Sequence, residues 1–230
     1  MIAPFGDKMI ASNIQVIKQK LPPTVTLVAV SKFHAKETIM EAYHAGQRHF
    51  GESRAQELME KRATLPADMV WHFIGPLQTN KVKMVVGKAA LIHSIDSERL
   101  LWAVEKEALK QGVEQPCLLE FHIATEESKS GFTQEEVAKL ISTSLFSDLK
   151  AVKINGVMGM ASFVSDAQQI RTEFRRLKQY FDQLKQSVFP NAPDFCHLSM
   201  GMSGDWPIAI EEGSTLVRIG TQIFGVRADV

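Results

Sequence analysis

Leu27-Val28-Ala29-Val30-Ser31-Lys32-Phe33-His34-Ala35 reads as a short buried strand that ends in a turn without glycine. The run is apolar and rich in β-branched residues, which fits a strand covered on both faces. A doubly wound nucleotide-binding sheet usually follows its first strand with a glycine-rich phosphate turn, and residues 31–35 offer none. Working outward, comparable strand candidates fall at 26–31, 48–51, 70–75, 90–95, 117–124, 153–158, 195–200 and 216–219, separated by segments of helical spacing. Ile170, Phe174, Leu177, Phe181, Leu184 and Val188 recur at steps of three and four and line one helix face. Thr133 followed by Glu136 has the form of a capping box. Eight strand–helix units predict an α/β protein built as a closed (β/α)8 TIM barrel, for which about 250 residues is typical. An extra amphipathic helix at 7–20 precedes the first strand and stops before Pro22-Pro23. With no repeat or linker in sight, residues 1–230 are expected to form a single domain.

Composition narrows the function. Lys+Arg and Asp+Glu both count 26, so no bulk charge points to nucleic acid or to a membrane surface. No apolar run approaches the roughly 18 residues of a membrane span. Residues 1–8 lack the basic start and apolar core of a secretory signal. The two cysteines, Cys117 and Cys196, both fall in apolar runs and are expected to be buried thiols, not a disulfide or a zinc site. A cytoplasmic protein is expected.

In a parallel barrel the C-terminal ends of the strands form the active mouth. Strand one delivers Lys32 there, strand two Glu52 and Ser53, and strand three Gly75-Pro76. Strand five leads to the loop carrying Lys129. After strand seven comes Ser199-Met200-Gly201-Met202-Ser203-Gly204, and after strand eight Gly220-Thr221. Loops seven and eight are where this architecture most often binds phosphate. One such loop alone would read as a tight turn; two at neighbouring strand ends, with the hydroxyls of Ser203 and Thr221, read as an anion cradle. A lysine ending a buried strand is partly desolvated, which lowers its pKa and frees the amine to attack a carbonyl. Standing alone, such a lysine is more often an ion-paired or snorkelling side chain. Across the mouth from a phosphate cradle it suggests a ligand bearing both an aldehyde and a phosphate, as pyridoxal 5′-phosphate does. Arg218 lies in an otherwise apolar strand, where an unpaired guanidinium is costly. It either pairs internally with a carboxylate such as Glu120 or donates to a pyridine nitrogen.

Several ordered motifs then match a known family. They are Ala29-Val30-Ser31-Lys32, Phe50-Gly51-Glu52, Trp71-His72-Phe73-Ile74-Gly75-Pro76-Leu77-Gln78-Thr79-Asn80-Lys81, Ser128-Lys129-Ser130-Gly131, Leu198-Ser199-Met200-Gly201-Met202-Ser203 and Gly213-Ser214-Thr215-Leu216-Val217-Arg218-Ile219-Gly220-Thr221-Gln222-Ile223-Phe224-Gly225. From about residue 27 to 227 the sequence closely resembles the pyridoxal phosphate homeostasis proteins, single-domain relatives of the alanine racemase barrel. The resemblance implies that Lys32 holds the cofactor as a Schiff base and that Ser203, Gly220 and Thr221 hold its phosphate. It also implies that Arg218 faces the pyridine nitrogen. Ser53 departs from the asparagine common in the family, and the shorter side chain could leave a water beside the cofactor. His72 alternates with Trp71 and Phe73, so it faces either the barrel interior beneath the ring or a backbone partner. Lys129 is a solvated loop lysine or a second, transient amine for the aldehyde.

Two functions compete. One is a carrier that binds pyridoxal phosphate, manages its free supply and delivers it to apo-enzymes as a monomer. The other is a pyridoxal phosphate-dependent amino-acid racemase. The related racemases draw a tyrosine acid/base from an added β domain and a partner subunit. Here the chain ends soon after its eighth strand, and Tyr43 and Tyr180 fall in helical segments, which favours the carrier. A metal-dependent barrel hydrolase is a weaker third reading. His49, His72, His93, His122 and His197 fall in strands, yet no His-x-His pair ends strand one. A Schiff-base aldolase would place its lysine at the end of strand six, whereas Lys153 begins that strand.

Overall fold

The strands close into one parallel barrel whose spatial order follows the chain. In the computed structural model, which describes residues 7–125, 130–143 and 145–225, they are β1 (Thr26–Val30), β2 (His49–Glu52), β3 (Val70–Phe73), β4 (Leu91–Ile95), β5 (Gln115–Phe121), β6 (Val152–Gly159), β7 (His197–Ser199) and β8 (Leu216–Ile219). Closure is made by β8 lying beside β1, with Leu216 to Ile219 opposite Thr26 to Ala29. The helices α1 (Asp7–Lys20), α2 (Lys36–His44), α3 (Ala55–Arg62), α4 (Val82–Val85), α5 (Glu98–Gln111), α6 (Gln134–Ser142), α7 (Ala167–Ser187), α8 (Trp206–Glu211) and α9 (Thr221–Phe224) form the outer ring. The expected barrel and its extra leading helix are both present. Each expected strand finds its counterpart, with ends moved by a few residues at most.

Two surfaces are buried, for different reasons. On the outside of the sheet, Phe50, Trp71, Phe73, Leu119, Phe121 and Val217 pack against the helices. The face of α7 read from spacing supplies buried Ile170, Phe174, Leu177 and Leu184, each contributing about 1.5–3 kcal/mol by leaving water. Thr133 and Glu136 make both bonds of the capping box that starts α6. Helix α9 has only four residues, and α1 packs against it and α2, burying Ile10, Ile14 and Ile17.

Inside the barrel, Val28, Leu91, Leu118, Met158 and Leu216 form a small apolar layer. Strand β6 carries an irregularity against β5, where Cys117 faces Ile154 but Leu118 already faces Gly156. Gly156 has a φ of +150°, and a Cβ there would sit 1.8 Å from the His197 carbonyl oxygen, so only glycine lets β6 and β7 pair. Cys117 is buried as expected. Cys196 is exposed, because it precedes β7 and stands outside the sheet pattern that its apolar neighbours suggested.

Candidate functional site

The strand ends bring Lys32, Ser203, Arg218, Gly220 and Thr221 to the wall of one cavity of about 320 Å³ at the C-terminal mouth. Val30, Ile74, Met160, Phe163, Val164 and Ile170 give it an apolar side. The five polar positions arrive from β1, β7 and β8, which are neighbours at the barrel seam. Lys32 is half-buried at the end of β1, and Arg218 is buried in β8 with its head turned inward. Lys129 lies outside the described residues.

Behind Lys32 the sequence builds a brace that pattern reading did not find. Lys61 of α3 is buried and donates to the Ser31 carbonyl at 2.8 Å, to Glu52 Oε1 at 2.8 Å and to Glu57 Oε1 at 2.6 Å. The Ser31 hydroxyl donates to the same Glu52 oxygen at 2.6 Å, and the Phe33 N–H donates to Glu57 at 2.6 Å. Phe33 adopts a left-handed φ of +65°, rare for a bulky residue, and these bonds on either side of Lys32 hold the turn in place. Burial pushes the Glu52 carboxyl above its ordinary range while the Lys61 ammonium opposes that rise. The other oxygen, Oε2, is buried and has no hydrogen-bond partner among the described residues.

The two anion-competent loops are tied to each other. Gln222 Nε2 donates to the Ser203 carbonyl at 2.7 Å, and Trp206 Nε1 donates to Gln222 Oε1 at 3.0 Å. Asp205 Oδ1 accepts from the Met202 N–H. Gly201 turns the chain at φ +95°, where a Cβ would meet Ala209 Cβ at 2.7 Å. Ser203, Gly204 and Thr221 are thereby presented to the cavity from a rigid frame.

Arg218 does not ion-pair with Glu120. It donates to Ser199 Oγ in a short bond and to the Gly159 carbonyl at 3.2 Å, while Glu120 accepts from Ser130 at 2.9 Å. Burial lowers the guanidinium to about 10, opposed by Glu120 and Asp205 at longer range, so it stays charged at neutral pH. His72 does face the barrel interior, but its partners are His49 and His93 and not the backbone. It is not among the residues that line the cavity, because Ser199 and His93 stand between it and Arg218. Ser53 is also absent from the wall. It packs against Gly75, where a Cβ would sit 2.6 Å from its own.

The cavity's combination of amine, hydroxyls and guanidinium on a closed barrel has counterparts among known proteins. A family model described as alanine racemase, N-terminal domain, matches residues 8–228. The chain belongs to that family. Within it, the pyridoxal phosphate homeostasis protein of Aquifex aeolicus is 41% identical over 202 residues, covering 87% of this chain and 86% of that protein. The protein of the same name from Vibrio alginolyticus is 39% identical over 226 residues, covering 95% of this chain and 94% of its own. Among solved structures of the family, PipY of Synechococcus elongatus with pyridoxal phosphate bound superposes with a TM-score of 0.83 at 36% identity. The match covers 94% of this chain and all of that one.

Proposed function

We propose that this chain binds pyridoxal 5′-phosphate through Lys32 and serves the cell's supply of that cofactor, holding it and handing it to apo-enzymes. One observation carries the reading: an amine, two hydroxyl- and glycine-bearing loops and a guanidinium converge on one cavity. The donor set fits the cofactor part by part. The Lys32 amine suits the aldehyde, the loops of Ser203 and of Gly220-Thr221 suit the phosphate, and Arg218 suits the pyridine nitrogen. The relatives named as pyridoxal phosphate homeostasis proteins and the cofactor-bound PipY support it.

When bound, the cofactor supplies an electrophilic aldehyde and a ring that can draw electrons from a substrate carbon. Arg218 works against the second property, because a guanidinium keeps its proton and leaves the pyridine nitrogen unprotonated. A racemase also needs a second acid/base at the mouth. Tyr43 sits on α2, donating to Asp68 at 2.8 Å, and Tyr180 is buried in α7, so neither serves. Binding and release, not turnover, is the reading we adopt. We take the carrier to act as a monomer, with Lys32, Ser203, Arg218, Gly220 and Thr221 of one chain meeting at one cavity. Among the described residues no helix is long and apolar enough to cross a membrane, and the free thiols Cys117 and Cys196 suit a reducing cytoplasm.

The test is to incubate loaded protein with an apo-enzyme that needs this cofactor, and separately with L-alanine and other amino acids. Recovered acceptor activity without racemised or transaminated product is the expected result. Efficient, Lys32-dependent turnover of an amino acid would overturn the carrier assignment.

A further inference from the structure

Four histidines face the interior of a barrel that is usually filled by branched apolar side chains. Three of them touch in series. His49 Nδ1 lies 3.0 Å from His72 Nε2, and His72 Nδ1 lies 2.9 Å from His93 Nε2. His93 Nδ1 lies 3.0 Å from Ser199 Oγ, which accepts from Arg218. The series begins at half-buried His49, at the N-terminal end of β2, and ends in the cavity at the opposite mouth. The ring nitrogens meet in pairs and do not converge on a point, so the arrangement is a chain of hydrogen bonds and not a metal site.

Its polarity follows from donor counting. Arg218 can only donate, so Ser199 Oγ must accept from it. The hydroxyl has one hydrogen to give, and His93 Nδ1 is its only other partner among the described residues. Giving that hydrogen to His93 satisfies every group. His93 is then protonated at Nε2 and donates to His72 Nδ1, and His72 donates from Nε2 to His49 Nδ1. The reverse order would make Ser199 accept twice and leave its own buried hydrogen without an acceptor, at the cost of an unmade bond. Burial lowers the pKa of all three imidazoles, consistent with neutral rings.

We propose that Ser199 and His93 are positioning residues for Arg218, at the inner end of a one-way chain Arg218→Ser199→His93→His72→His49 that fixes each ring in its Nε2–H form. The chain gives Arg218 a neutral support from behind, so its charge is not cancelled before it meets a ligand. The aim of that charge at a bound pyridine ring rests on the function proposed above; the chain itself does not.

The experiment uses the whole protein with 15N-labelled histidine, without cofactor, and reads ring tautomers from nitrogen–proton correlation spectra near pH 7. His49, His72 and His93 should each show a protonated Nε2 and a bare, accepting Nδ1. Ser199→Ala should free the His93 tautomer and weaken pyridoxal phosphate binding by about tenfold, the equivalent of one strong hydrogen bond. Ser199→Thr, which keeps the hydroxyl, should restore both. An Nδ1–H ring at any of the three positions in the unaltered protein would overturn the chain. So would a Ser199→Ala protein with unchanged His93 signals. Ordered rings in a protein that takes up no pyridoxal phosphate would uphold the chain and sink the functional reading instead.

Discussion

Behind Lys32 stand two carboxylates and a buried ammonium; behind Arg218 stand a hydroxyl and three imidazoles. The first support is charged and lies between the sheet and α3, where Lys61 reaches the Ser31 backbone. The second is neutral and runs down the barrel interior. Each suits what it holds. The turn at Lys32 carries backbone strain at Phe33, and charged bonds of 2.6–2.8 Å keep it from relaxing. The guanidinium of Arg218 needs acceptors for its hydrogens but no counter-charge, and Ser199 and the Gly159 carbonyl are acceptors without charge.

The largest effect expected on this pair of supports comes from removing the group that one of them presents. Lys32→Ala should abolish covalent retention of pyridoxal phosphate, seen as loss of its absorption band. The thermal midpoint should stay close to that of the parent, because the amine stands at the rim and the brace bonds to the neighbouring backbone. Melting of the cofactor-free variant alongside its parent checks the second half.

Acid should break the neutral support first. His72 is held neutral down to about 3 by burial, with His49 and His197 opposing its charge, and burial also carries His93 well below its ordinary range. The unfolded chain takes up protons at these rings as pH falls through about 6.5, while the folded chain does not. Stability is therefore full above pH 6.5 and is lost progressively toward pH 3. At about 1.4 kcal/mol per pKa unit, His72 alone accounts for on the order of 5 kcal/mol, a large share of a total of roughly 5–15. Urea unfolding at pH 7, 6, 5 and 4 measures it; a flat profile would show that the histidines are hydrated.

A smaller change separates the phosphate cradle from both supports. Thr221→Val removes one hydroxyl and should cost roughly 1–3 kcal/mol of pyridoxal phosphate binding. Unphosphorylated pyridoxal should hardly notice. Equal losses for the two ligands would take the phosphate away from this loop.

Smallest of all is the expected effect of Glu52→Gln. The amide keeps an oxygen for Ser31 and Lys61, and Glu57 still neutralises Lys61. The amide nitrogen falls where Oε2 has no partner among the described residues, so stability at pH 7 should drop by about 1 kcal/mol. Because burial raises the folded pKa of Glu52, the native state holds its proton to higher pH than the unfolded chain, so this group's contribution declines as pH rises past its ordinary range. That slope is opposite to the histidines' and should vanish in the variant when unfolding is followed from pH 4 to 8.

What could be read from the sequence was whatever repeats locally. Short apolar runs rich in β-branched residues gave the eight strands, the three-and-four spacing of Ile170 to Leu184 gave α7, and the Thr133–Glu136 pair gave the start of α6. Lys32 and the loops at Ser203 and Thr221 were legible because strand ends in a barrel share one mouth. The supports were not. Glu57 and Lys61 are a visible i,i+4 pair, but the carboxylate of Glu52 joins them only once α3 lies on β2. His49, His72 and His93 stood out as strand histidines, yet which atoms meet depends on the register of β2, β3 and β4 and on β7 bringing Ser199 to His93 across the barrel interior. The same cause misplaced Cys196, whose apolar neighbours belong to the strand while it does not, and moved His72 out of the cavity wall.

The most direct test of the central claim is chemical trapping at the mouth. Protein loaded with pyridoxal phosphate is reduced with borohydride, digested and mapped by mass spectrometry, with Lys32→Ala treated in parallel. The account predicts a pyridoxyl group on Lys32 in the parent and no label at defined stoichiometry in the variant. A stoichiometric label on another lysine, Lys129 above all, with Lys32 unmodified would contradict it.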